Sequence, residues 1–183
     1  EANNSLKYSL SQNQENFFKD SKIRDANGDL MPVYHGTNQD FNQFEDSKIQ
    51  KADLGRGFYF TDNKDIANNY AEIRANERGG KGKVMETFLN VKNPFDLNYQ
   101  PREAALDYLT YYFANNGQTN AQAVNSAKTL LDISLADGDI VDGDYSSVFN
   151  TKEPEFEKWA KSKGYDGIVV PGGDQDSGLS GNA

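Results

Sequence analysis

The spacing of apolar positions changes near residue 100. Before it, short runs alternate or cluster: "MPVYH" (31–35), "GFYFT" (57–61) and "VMETFLNV" (84–91) each read as a strand. Pro32 sits near the start of the first, where a missing N–H is tolerated, and Pro94 is expected to stop the third. Between the first two, "GTNQDFNQFEDSKIQKADLGR" is polar and breaker-rich and reads as a loop. Beyond Pro101 the spacing is helical, with expected helices over "REAALDYLTYYFANN", "AQAVNSAKTLLDISLA" and "EPEFEKWAKSKG", the last ending at a glycine. "YDGIVV" then reads as a short buried strand.

Punctuation sharpens this outline. Ser11 and Gln14 form a capping-box pattern ahead of a short helix through "QNQENFFKDSKI". Asn27–Gly28 marks a turn, and "GGKGK" a glycine-basic, hairpin-like turn. Asp62 or Asn63 is placed to cap a helix over "KDIANNYAEIRANE", with Ile66, Tyr70 and Ile73 on one face. The expected class is α+β: one domain over 1–183, a helical insertion over about 101–163 and a flexible tail over 171–183.

Composition narrows the chemistry. A chain of 183 residues is long enough to bury a sizeable core, and eleven Phe and ten Tyr supply much of its surface. No apolar run approaches the roughly 20 residues of a membrane span, and "EANNSLKYSL" lacks the pattern of a signal peptide. The expected location is the cytoplasm or, after delivery, a host cell. A formal charge of -9 argues against strong nucleic-acid binding through phosphates. With no cysteine and one histidine, thiol chemistry, disulfides and His-rich metal sites drop out, so no metal is expected. Asp137, Asp139, Asp142 and Asp144 lack the closing Glu of a calcium loop and read as a solvated turn. Trp159 and Phe156 are expected to anchor the last helix to the core.

The single histidine sits in "YHGT". Its plainest role is a half-buried ring bonded to a backbone carbonyl. The alternative is a sugar site, since Gly36 allows close approach to the backbone and Thr37 adds a hydroxyl beside His35. In "GRGFYFT" alternation puts Phe58 and Phe60 on one side, and Gly57, Tyr59 and Thr61 on the other. Core packing would explain this pattern. So would a cleft in which Tyr59 stacks on a flat ring, Gly55 and Gly57 clear space, and Tyr70 supplies the opposite wall. Arg56 is the favoured phosphate contact, ahead of Lys81 and Lys83.

The combination of "YHGT" with "GRGFYFTDNKDIANNY" resembles the nicotinamide-binding core of PARP-like (diphtheria-toxin class) ADP-ribosyltransferases. In that family a His–Gly pair ends one strand, a G-x-G-x-Y-F strand follows, and a second tyrosine lies eleven residues after the first, as Tyr70 follows Tyr59. "LNVKNPFDL" and "GYDGIVV" extend the likeness to the modules of bacterial and phage polyvalent and Mu-head-associated proteins, from Asp25 onward. The resemblance implies a split β-sheet core with flanking helices. It implies NAD as substrate, with His35 on a ribose hydroxyl, the Gly36 backbone on the carboxamide, and Tyr59 and Tyr70 around the nicotinamide ring. Thr37, Gly57 and Phe58 would complete the lining, and His35 and Tyr59 would act in catalysis. The products implied are nicotinamide and ADP-ribose passed to an acceptor, expected to be a protein, or to water in an NAD glycohydrolase. A phage, mobile-element, toxin or effector setting goes with that branch.

Two positions depart from the family pattern. Ala67 stands where many members carry a carboxamide-binding serine. The family's third motif is a Glu or Gln on a strand after "GYDGIVV", yet no Glu follows Glu157, and only Asp174, Gln175 and Asp176 stand nearby. The expectation is that this strand lies beyond the sequence. A catalytically inactive binding module of the same fold is the alternative. A histidine–glycine fold acting on RNA 2′-phosphates is a third reading, and the net charge counts against it. Acceptor reading is assigned to Asn38–Leu54 or to the acidic segment 137–145.

Overall fold

The computed structural model describes residues 9–41, 43–45, 49–52 and 55–170. Among these, five helices and six short strands form a mixed α+β fold, in the order α1 (Gln12–Phe18), β1 (Val33–Thr37), β2 (Gln50–Ala52), β3 (Gly55–Gly57), α2 (Lys64–Arg78), β4 (Lys83–Thr87), β5 (Pro94–Asp96), α3 (Arg102–Asn115), α4 (Asn120–Ala136), α5 (Pro154–Ser162) and β6 (Gly167–Val169). The strands pair two by two: β1 with β4 and β2 with β3 antiparallel, β5 with β6 parallel. The sheet is therefore split, and helices flank its pieces.

Local chemistry accounts for the helix boundaries. Ser11 and Thr119 each close a capping box, with Gln14 and Gln122, at the starts of α1 and α4. Asn63, rather than Asp62, caps α2 by accepting from the backbone N–H of Asp65 and Ile66. Gly164, at a φ of 80°, follows the end of α5 as expected.

Two apolar clusters hold the pieces. The larger joins β5 to the three C-terminal helices, with Phe95, Tyr108, Leu131, Phe156 and Trp159 at its centre. Trp159 does anchor α5, and its indole Nε1–H donates to Asp107 Oδ2 at 2.6 Å. The smaller packs Val33 of β1 against Ile23 and Val169, with Phe60, Leu89 and Val91 around them.

Several expectations need correction. α1 ends at Phe18 instead of continuing to Ile23, because Ser21 and Lys22 turn away to bond the Leu89 and Val91 carbonyls. The 38–56 stretch is not all loop: β2 lies within it, formed by pairing with β3 and not by any local alternation. Of "GFYFT", only Gly57 belongs to a ladder strand; 58–60 carry no ladder, and Thr61 makes one isolated bridge to Tyr34. "VMETFLNV" is strand only to Thr87, and Pro94 opens β5 instead of ending a strand. Pro94 is tolerated as the first residue of an edge segment, where no N–H is required. "GGKGK" links α2 to β4 and is not a hairpin turn. On α2 the buried residues are Ala67 and Ala71, whereas Ile73 is half exposed.

The small residues of α2 explain its position. An added Cβ on Gly36 would strike the Ala67 carbonyl, and one on Gly82 would meet Ala71. Alanines on the helix thus face glycines on β1 and just before β4, and the helix axis comes close to the strand. That contact sets α2 beside "YHGT".

Candidate active site

β1 presents two faces. Tyr34 and Gly36 point to α2, and Lys64 lies 5.9 Å from the centre of the Tyr34 ring. Val33, His35 and Thr37 point the other way. On that side His35 is enclosed by phenylalanines, with ring centroids at 5.3 Å for Phe44, 5.5 Å for Phe60, 6.1 Å for Phe41 and 6.4 Å for Phe58. Phe58 and Phe60 do share a side, as alternation requires. Phe41 and Phe44 come from the segment read as a polar loop. Their signal in the sequence was the lone pair of aromatics three apart in "DFNQF".

The plainest role of the histidine is realised in full. The His35 ring is partly buried, and Nδ1 lies 2.8 Å from the Tyr59 carbonyl oxygen. A carbonyl only accepts, so Nδ1 carries the proton. Burial pushes the ring pKa below its ordinary 6.5, opposed by that hydrogen bond and assisted by the positive charge of Arg74. The imidazole is therefore neutral near pH 7, and Nε2 holds the lone pair. One nitrogen fixes the ring, and the other is left as an acceptor of fixed orientation.

The backbone beside it is equally specific. Tyr34 exchanges both main-chain hydrogen bonds with Thr61, at 2.7 and 3.0 Å. Residues two apart in a strand direct N–H and C=O to the same edge. Gly36 therefore turns its N–H and C=O to the side away from β4, toward Tyr59. Among the described residues no strand continues the pairing there, since 58–60 form no ladder. A donor and an acceptor side by side on an open strand edge match a primary carboxamide, which offers one of each.

The remaining candidates divide. The Tyr59 hydroxyl donates to the Gly55 carbonyl at 2.6 Å, which ties the ring back along its own segment. Among the described residues a Cβ on Gly57 would meet nothing within 4 Å. Gly55 does not: its φ is 105°, and a Cβ there would strike the Thr151 carbonyl. The Thr37 side chain is buried, and its Oγ1 accepts from the Gln39 N–H at 3.2 Å, so it shapes the turn after β1. Tyr70 lies half-buried on α2, one turn beyond Ile66. Ala67, where the family pattern has serine, is 1% exposed, and its backbone carbonyl lies against Gly36.

Arg56 is half exposed and faces Glu157 of α5 at 3.8 Å, while Lys83 pairs with Asp40. Arg74, four residues after Tyr70, pairs with Glu77 on the same helix at 3.6 Å. Asp144 is a structural cap, accepting from the N–H of Gln100 and of Ser146 at 3.0 and 2.9 Å and from the Ser146 hydroxyl. Among the described residues no group of three or more His, Asp or Glu is placed to hold a metal ion, and no helix is long and apolar enough to cross a membrane. Asp174, Gln175 and Asp176 lie outside the described residues, as do Leu179, the rest of the 171–183 tail and part of the 38–54 segment.

A split sheet with a neutral histidine on one strand, an aromatic segment crossing it and a capped helix packed behind it defines an ADP-ribosyltransferase-like fold. The chain belongs to the family of ADP-ribosyltransferases in polyvalent proteins, which it matches over residues 25–180. That family acts by ADP-ribosyl transfer with NAD as substrate. No curated protein and no solved structure gives a significant match.

Proposed function

We propose that this chain binds NAD at the β1 edge and cleaves the bond between nicotinamide and ribose, passing ADP-ribose to a macromolecular acceptor, most simply a protein. The observation that carries this reading is the pairing of a neutral, oriented His35 with the open Gly36 edge. Nε2 accepts a ribose hydroxyl. The Gly36 C=O accepts from the carboxamide NH2, and its N–H donates to the carboxamide oxygen. Tyr59 and Tyr70 flank the nicotinamide ring, with Gly57 beside Tyr59 and with Phe58 and Thr37 in the surrounding wall. The proposed unit is one domain, with 101–163 as a helical insertion that supports β5 and β6.

The chemistry follows from those contacts. As the C1′–N1 bond breaks, its electron pair leaves with the nicotinamide and the sugar becomes oxocarbenium-like. Holding both ends of that bond converts binding into orientation. The acceptor then attacks C1′ and loses its proton. Water in the acceptor's place makes the chain an NAD glycohydrolase.

A proton NMR time course with NAD tests the reading. Saturation transfer to the nicotinamide protons, followed by free nicotinamide, is expected; the mass of an added acceptor separates transfer from hydrolysis. If Tyr59→Ala releases nicotinamide at the wild-type rate, the assignment is wrong. A second reading is binding without turnover. Saturation transfer without release would select this second reading.

A further inference from the structure

Helix α4 buries one side and leaves another bare. Ala123, Ala127 and Leu131, each four residues from the next, are buried, and the last two enter the larger cluster. Leu130 is 37% exposed and Ile133 51%. Three apart, they share a stripe turned away from Leu131, and Asp137 continues it four residues on. Lys128, the only base in α4, lies across the helix from this stripe. The turn that follows has a fixed shape. The N–H groups of Asp137, Gly138 and Asp139 donate back to the carbonyls of Ile133, Leu135 and Ser134. Ile140 is buried in the larger cluster, and the Ser147 hydroxyl donates to the Asp139 carbonyl at 3.0 Å.

Asp137, Asp139 and Asp142 are thereby held at the surface, and among the described residues none of them has an ion pair. Asp132 differs, since Arg102 faces it at 3.5 Å. No base stands in the last turn of α4, so the negative end of the helix dipole adds to the field of the three aspartates. Single exposed apolar residues are ordinary on a protein surface. Phe17, Ile73 and Tyr99 are of that kind, each on a separate segment. At the end of α4, apolar contact and unpaired charge of one sign stand together. The sign selects the occupant. A second copy of the chain brings the same net charge of -9, and nucleic acid and anionic membrane bring phosphate, so all three are repelled. A cationic helix with one apolar face meets both features. Its apolar side chains cover Leu130 and Ile133, and its lysines or arginines reach the aspartates and the helix end.

We propose that the C-terminal end of α4, with the turn 137–142, is a docking surface for a basic amphipathic helix of a partner protein. The surface uses no residue of the NAD site and does not rest on that reading.

The probe is a short synthetic peptide of leucine and lysine, patterned to put every leucine on one helix face. It is titrated into the full chain and followed by calorimetry and amide NMR. Binding with shifts centred on 130–142 is expected. A scrambled peptide of the same composition offers no continuous apolar face and should bind at least about 10-fold more weakly. Ile133→Ser should weaken the patterned peptide by about 10- to 100-fold, the range for losing one buried aliphatic side chain. Asp137→Asn and Asp142→Asn should each weaken it about two- to fivefold and lower its salt dependence. Asp29→Asn removes an exposed acid before β1 and should change nothing. Circular dichroism midpoints check that Ile133→Ser folds; if it does not, the aspartate variants carry the test. Equal binding of patterned and scrambled peptides, or an equal loss in Asp29→Asn and Asp137→Asn, leaves only net charge and overturns the surface. So does the absence of binding, or shifts that fall elsewhere, or a dimer of the chain alone that Ile133→Ser abolishes. Nicotinamide release is not read here, so either result leaves the NAD reading as it stands.

Discussion

The carbonyl of Ala67 on α2 occupies the space a Cβ on Gly36 of β1 would need. The glycine of "YHGT" is therefore a packing requirement of the fold as well as a candidate contact. The two roles use different parts of it: the α-carbon faces the helix, and the N–H and C=O face the open edge.

Gly36→Ala should force α2 off β1 and lower stability by about 1–3 kcal/mol, the range for overpacking a close contact. Gly57→Ala meets nothing within 4 Å among the described residues and should stay within about 0.5 kcal/mol of wild type. Urea unfolding midpoints check both. If Gly57 clears room for nicotinamide, Gly57→Ala will lose NAD binding while keeping its stability.

The lowered pKa of His35 makes a signed prediction. The folded ring resists protonation, and the unfolded ring titrates near 6.5. The unfolded state then binds more protons between the lowered value and 6.5. Stability from this group is complete above 6.5 and declines as pH falls through that window toward the folded pKa. His35→Gln should flatten the slope in denaturation curves taken across it. With one histidine in the chain, imidazole nitrogen NMR reads it without assignment: a protonated Nδ1 and a bare Nε2 at pH 7 are expected.

Tyr59 separates ring from hydroxyl. Tyr59→Phe loses the hydrogen bond to the Gly55 carbonyl, at a cost of about 0.5–1.5 kcal/mol in stability. It keeps the ring, so saturation transfer to nicotinamide should persist. Tyr59→Ala should abolish it.

The larger cluster depends on Trp159, the sole tryptophan, 2% exposed and bonded to Asp107. Trp159→Ala should cost about 3–5 kcal/mol. Asp107→Ala leaves a buried indole N–H without its acceptor and should cost about 1–3 kcal/mol. Tryptophan fluorescence in the Asp107 variant and circular dichroism in both give the midpoints.

Much of this was legible because it is encoded locally. Capping at Ser11 and Asn63, the three C-terminal helices, the turn at Gly28 and the glycine after α5 all follow from neighbours within four residues. "YHGT", the eleven-residue tyrosine spacing and the single histidine were enough to bring the family into view. What remained hidden depends on partners distant in the chain. β2 exists because β3 lies beside it, and β5 begins at Pro94 because β6, some seventy residues later, supplies the ladder. That α2 buries alanines and leaves Ile73 half exposed follows from glycines on β1 and before β4. The tautomer of His35 and the phenylalanines around it are likewise tertiary facts. A sequence records which groups are present and their local spacing; hydrogen-bond direction, burial and the sign of the local field arise only when segments far apart along the chain meet.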